Sequence, residues 1–89
     1  MKIMAICGSG LGSSFMVEMN IKKVLKKIGV EADVEHSDLS SAIPSEADLF
    51  VMAKDIAASA SIPDNQLIVI TNIIDINELE TKLRAYFNK

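Results

Sequence analysis

The chain's only cysteine, Cys7, is followed at once by Gly8-Ser9-Gly10-Leu11-Gly12-Ser13-Ser14. A thiolate is a strong nucleophile, and a glycine-rich turn running into a helix is a cradle of inward-pointing backbone N–H groups that can bind phosphoryl oxygens. The same donors stabilise a thiolate and lower the pKa of a cysteine at a helix N-terminus. Three of the four glycines lie at 8, 10 and 12, where backbone must approach a ligand closely. Ser13 and Ser14 add hydroxyl donors. The chemistry expected here is therefore a phosphoryl group carried on Cys7, with residues 8–14 binding its oxygens. The bland alternative is a small buried thiol at the end of a core strand. The glycine-rich run directly after it weighs against that alternative.

Other phosphate loops fit less well. A dinucleotide fingerprint needs G-x-G-x-x-G, and position 13 is serine. A Walker loop needs a lysine, and there is none from Ile3 to Val17. With one histidine and one cysteine, a closed structural zinc site is not expected. No metal or cofactor is called for, because backbone dipoles supply the positive field.

The surrounding elements must place this loop. Residues 2–6 read as a strand covered on both faces. Val17, Ile21, Val24, Leu25 and Ile28 recur at helical spacing, widened by Phe15 and Met19, with Lys22, Lys23, Lys26 and Lys27 on the solvated side. That predicts a helix from about 13 to 28, stopped by Gly29. The alternation from Val30 to His36 predicts a second, more exposed strand. Residues 37–46 read as loop with one helical turn. Residues 49–52 and 67–70 are continuous apolar strands, with a two-turn helix over 53–60 between them. Asp75 and Glu78 have capping-box spacing at the start of a last helix. Strands alternating with helices predict an α/β fold, a four-stranded parallel sheet of order 2-1-3-4 with helices on both faces, Rossmann-like and three-layered. Its switch point falls above Cys7, where open sheets of this class bind ligands.

Composition agrees. At 89 residues and 49% hydrophobic content, residues 1–89 are expected to form one domain. No run reaches the ~18 apolar residues of a membrane span. Only five apolar residues separate Lys2 from the glycines, too few for a signal peptide, so a cytoplasmic address is expected. The net charge of −3 argues against a nucleic-acid partner.

The run Cys7-Gly8-Ser9-Gly10-Leu11-Gly12-Ser13-Ser14 after Lys2-Ile3-Met4-Ala5-Ile6 resembles the start of an enzyme IIB component of the sugar phosphotransferase system. The likeness is to the lactose/ascorbate group, and most to its ascorbate type. Residues 16–20, Val34-Glu35-His36-Ser37-Asp38 and Ala47-Asp48-Leu49-Phe50-Val51 fit as well, so the resemblance spans nearly the whole chain. It implies that Cys7 takes a phosphoryl group from the phosphohistidine of a IIA protein and passes it to a sugar held by the membrane transporter IIC.

Two alternatives stand beside it. One is a phosphatase or arsenate-reductase-like enzyme: low-molecular-weight tyrosine phosphatases have a loop similar in outline, but theirs ends in an arginine where this chain has Ser13. The single arginine is Arg84, far away in sequence. The other alternative is a non-catalytic regulatory module of IIB type. His36, read as the end of the second strand, and Lys54, after the third, are secondary candidates near the site. The simpler readings are a strand-end histidine and a solvated lysine.

Overall fold

Two apolar runs, 3–6 and 49–52, become neighbouring strands at the centre of one sheet. The computed structural model describes residues 1–7, 11–38, 40, 42–72 and 74–89, with 7 and 11–14 described by their backbone. Among these residues the strands are β1 (Lys2–Cys7), β2 (Asp33–Asp38), β3 (Leu49–Ala53) and β4 (Leu67–Ile70). The helices are α1 (Leu11–Ile28), α2 (Lys54–Ala57) and α3 (Ile76–Phe87). Every strand pair is parallel, as the alternation of elements predicts, and the order is β2-β1-β3-β4, as expected with the glycine-rich loop after the first strand.

The two faces are covered unequally. Val17, Ile21, Val24 and Leu25 of α1, with Leu79 and Leu83 of α3, pack over Ile3, Ala5, Leu49, Val51, Ile68 and Ile70. Lys27 and Glu80 tie the two helices together at 3.0 Å. On the other face Met4, Ile6, Phe50 and Met52 are covered by Ala47 and Ile62, with Ala42, Ile56, Ala57 and Ala60 around them. That layer holds the single turn of α2, with short 3-10 turns at Pro44–Glu46 and Asp64–Gln66 in the connections around it. Burial on both faces explains why the central strands read as unbroken apolar sequence.

Several expectations shift. β2 runs from Asp33 to Asp38, so His36 lies inside the strand and not at its end. Gly29 ends α1 with φ at 76°, and Val30 N–H donates to the Leu25 carbonyl at 2.9 Å. Residues 30–32 are then spent crossing to the sheet, and the Asp33 N–H meets the Met1 carbonyl at 2.9 Å. α1 starts at Leu11, two residues before Ser13. α2 stops after one turn because Ser59 and Ala60 donate to Ile56 and Ala57 three residues back, a tighter winding that α-helix does not continue.

Phe15 and Met19 do not widen the core stripe. They are 51% and 43% exposed, while Val17, Ile21 and Val24 are buried. At about 100° per residue the two groups face opposite sides of the helix.

Candidate functional site

β1 ends at Cys7 and α1 begins at Leu11, so only residues 8–10 separate the cysteine from a helix N-terminus. In the sheet, Cys7 is in register with Asp38, the last residue of β2, and Ile6 with Met52 of β3. From β1 the chain turns to β2 on one side, and β3 adds on the other. Such a divergence leaves a crevice beyond the carboxyl ends of the strands. The first turn of α1 holds no acidic residue, and Lys26 and Lys27 stand in its last turn. The helix dipole is complemented at its C-terminal end and left open to an anion at its start.

Of the residues expected to bind phosphate, Gly8, Ser9 and Gly10 lie outside the described residues. Leu11, Gly12, Ser13 and Ser14 form the first turn of α1. Lys54 opens α2, directly after Ala53 at the end of β3, and is exposed. Among the described residues it makes no ion pair.

His36 is better connected than its sequence context indicates. Its Nδ1 bonds the Glu18 carboxylate of α1, and its ring meets Phe15 edge-on, with centroids 5.7 Å apart at 73°. Glu18 also takes the Lys22 ammonium at 2.7 Å. At 8% exposure it is the one buried charged residue among those described. Burial pushes its carboxyl up, but the hydrogen bonds and charges of Lys22 and His36 outweigh this and hold it below the ordinary value. A buried carboxylate without such partners is strongly unfavourable. The pair thus fastens β2 to the first half of α1, which starts beside Cys7. Glu18 does not stand out in the sequence, because its partner lies 18 residues away. The one available signal is a carboxylate flanking the core stripe of a helix in a chain with one histidine.

A second device lies at the opposite side of the sheet, just after the carboxyl end of β4. Asp75 caps α3, accepting from the N–H groups of Asn77 and Glu78, both at 3.1 Å. Glu78 does not return the bond to Asp75, as a full capping box would. It reaches past it to the N–H groups of Thr71 and Asn72, at 2.8 and 3.1 Å, and takes Lys82 at 2.9 Å. These bonds, the Thr71 N–H foremost, hold its carboxyl down to about 2. Among the described residues no three His, Cys, Asp or Glu side chains converge on a metal position. Nor is any helix among them long and apolar enough to cross a membrane.

Comparison with known proteins places this arrangement. The family described as "PTS system, Lactose/Cellobiose specific IIB subunit" matches residues 2–85. An ascorbate-specific PTS system EIIB component of Mycoplasma pneumoniae is 25% identical over 84 residues, 91% of this chain and 88% of that protein. One from Salmonella choleraesuis is 27% identical, over 92% and 84%. A mannitol-specific cryptic EIICB component of Escherichia coli is 31% identical over 90% of this chain, which corresponds to 17% of its own length. A low-molecular-weight protein tyrosine phosphatase from Bacillus subtilis shares the fold, with a TM-score of 0.58 over 99% of this chain and 95% of that one, at 17% identity.

Proposed function

This chain belongs to the IIB family of the phosphotransferase system, whose components act as phosphotransferases in sugar transport, and we propose that it carries the phosphoryl group on Cys7. The observation that carries the reading is the place of Cys7. It closes β1 at the switch point of the sheet, four residues before the start of α1.

The chemistry is set by that place. The Cys7 thiolate attacks the phosphorus of a phosphohistidine on the IIA partner. An S–P bond forms as the P–N bond breaks, and the imidazole leaves with the electron pair. In the second step a hydroxyl of the sugar held by IIC attacks the same phosphorus. The S–P bond breaks, the thiolate is restored, and the hydroxyl proton passes to solvent or to a base of the transporter. Backbone N–H groups of Gly8, Ser9, Gly10, Leu11, Gly12, Ser13 and Ser14 hold the phosphoryl oxygens. Phosphoryl transfer asks mostly for positioning and charge stabilisation, which such donors supply.

A carrier must not hydrolyse its own phosphocysteine. The single arginine, Arg84, sits near the end of α3 and donates to Glu80 at 2.8 Å, which supports relay over hydrolysis. Residues 1–89 act as one IIB domain in the cytoplasm. The reading of the sugar as ascorbate-type is supported by the relatives named for it, which are matched over most of their lengths.

The test is to supply phosphoenolpyruvate, the general phosphotransferase proteins and the cognate IIA. The chain takes up one phosphate and gives it up when IIC-containing vesicles and the sugar are added. Rapid hydrolysis of p-nitrophenyl phosphate by the chain alone would instead make it a phosphatase.

A further inference from the structure

Four of the residues proposed to hold the phosphoryl oxygens, Leu11 to Ser14, form the first turn of α1, so the placement of this helix over the sheet decides where their N–H groups stand. Among its described side chains the apolar contacts begin only at Val17, and Phe15 and Met16 before it are exposed. Apolar contact is non-directional and does not by itself fix the height of a helix over a sheet. Two polar contacts reach from these side chains to other elements. Lys27 meets Glu80 of α3 at 3.0 Å, in the last turn of α1. Glu18 meets His36 of β2, about 10 Å along the helix axis from Leu11.

The Glu18 contact is the one near the site. Glu18 is buried beside Val17 at the start of the core stripe and also takes Lys22 at 2.7 Å. The His36 ring is met edge-on by Phe15. Along the strands His36 is in register with Ala5, and Asp38 with Cys7, so the contact reaches β2 two residues short of the cysteine's level. A leucine at position 18 would bury there as well, and an apolar side chain in place of a buried ion pair is often neutral or stabilising. What the carboxylate adds is direction, a hydrogen bond to one fixed group on the strand beside β1.

We propose that Glu18 and His36 are positioning residues for phosphoryl transfer to Cys7. Their bond sets the height of α1 over the sheet, and so the place of the first-turn N–H groups that receive the phosphoryl oxygens. They act on the phosphorus only through the helix. The inference rests on the reading of Cys7 as phosphoryl acceptor. The backbone hydrogen bonds of an α-helix join each turn to the next, so a shift at Glu18 is passed on to Leu11. A misplacement of about 1 Å at the reacting groups costs on the order of 100-fold in rate. The effect therefore falls on the transfer step and not on capture of the donor.

The experiment is single-turnover transfer from phosphorylated cognate IIA to the full chain, followed against IIA concentration. The urea midpoint of each variant separates lost folding from lost rate. Glu18→Leu keeps the burial and removes the bond. It lowers the rate at saturation about 10-fold or more and leaves the half-saturating IIA concentration within about 2-fold. Glu18→Gln keeps an acceptor for His36 Nδ1 and returns the saturated rate to within about 3-fold of wild type. Lys22→Gln takes away the other partner of Glu18 and leaves that rate within about 2-fold. His36→Ala falls as Glu18→Leu does, and carries the test where the leucine variant does not fold. The proposal is overturned if a folded variant lacking the bond transfers at the wild-type saturated rate, if Lys22→Gln slows transfer as much, or if Glu18→Gln restores nothing. It is also overturned if the defect is a raised half-saturating concentration at an unchanged saturated rate. Failure of the Cys7 reading would show separately, as no transfer to the wild type at any IIA concentration.

Discussion

Cys7 and Asp38 stand in register as the last residues of two neighbouring parallel strands. Asp38 is engaged there, accepting from the Ser40 hydroxyl at 2.5 Å. Two residues back along the same strand, His36 grips Glu18 of α1. The edge of the sheet that bears the cysteine is thus tied on its β2 side to the helix that begins beside it. The strength of these ties can be measured.

His36→Ala removes one of two partners from a buried carboxylate. The expected loss is about 1–3 kcal/mol in urea denaturation at neutral pH, the usual cost of leaving a buried acceptor short of a donor. Glu18→Ala should cost a similar amount, and the double variant less than the sum, because the two side chains share one interaction. Strict additivity would show that the pair is not coupled.

Glu78 predicts an acid-sensitive contribution. Its folded value of about 2 lies below the ordinary 4.5. The stabilisation is therefore fully present above about pH 5 and is lost as pH falls toward 2. The gap in urea midpoint between wild type and Glu78→Gln should be widest at neutral pH and close over that window. Amide exchange at Thr71 and Asn72 should quicken in the variant. A gap that does not change with pH contradicts the assignment.

Asp75 caps α3 through two N–H groups. Asp75→Ala should lower stability by about 1 kcal/mol, and Asp75→Asn by much less, since an amide oxygen still caps. Equal losses in the two would mean that charge, and not the cap, is what counts.

Much of this fold is legible in the residues, for a physical reason. Strands at 49–52 and 67–70 are apolar throughout because a parallel sheet is covered on both faces, and right-handed crossovers limit the strand orders, among which the glycine-rich loop after the first strand points to 2-1-3-4. The limits of β2 are not legible, because they depend on how many residues the chain spends after Gly29 in reaching the sheet. Phe15 and Met19 mislead for a different reason. Their four-residue spacing imitates a core stripe, and side-chain type does not say whether a core or a partner will cover it. Glu18 and His36 find each other only once β2 lies along α1. Lys54 does fall at the predicted edge, directly after the end of β3. The register of β1 with β3 runs from Ile3 to Ile6, one residue short of Cys7.

That one sulfur carries the phosphate is tested most directly by locating the phosphate. After labelling through the cognate IIA, peptide mapping by mass spectrometry under conditions that preserve the S–P bond should find a single phosphate, on the peptide containing Cys7. Cys7→Ser should take up none. Phosphate on His36, the one histidine of the chain, or labelling of Cys7→Ser equal to that of the wild type, would contradict the assignment.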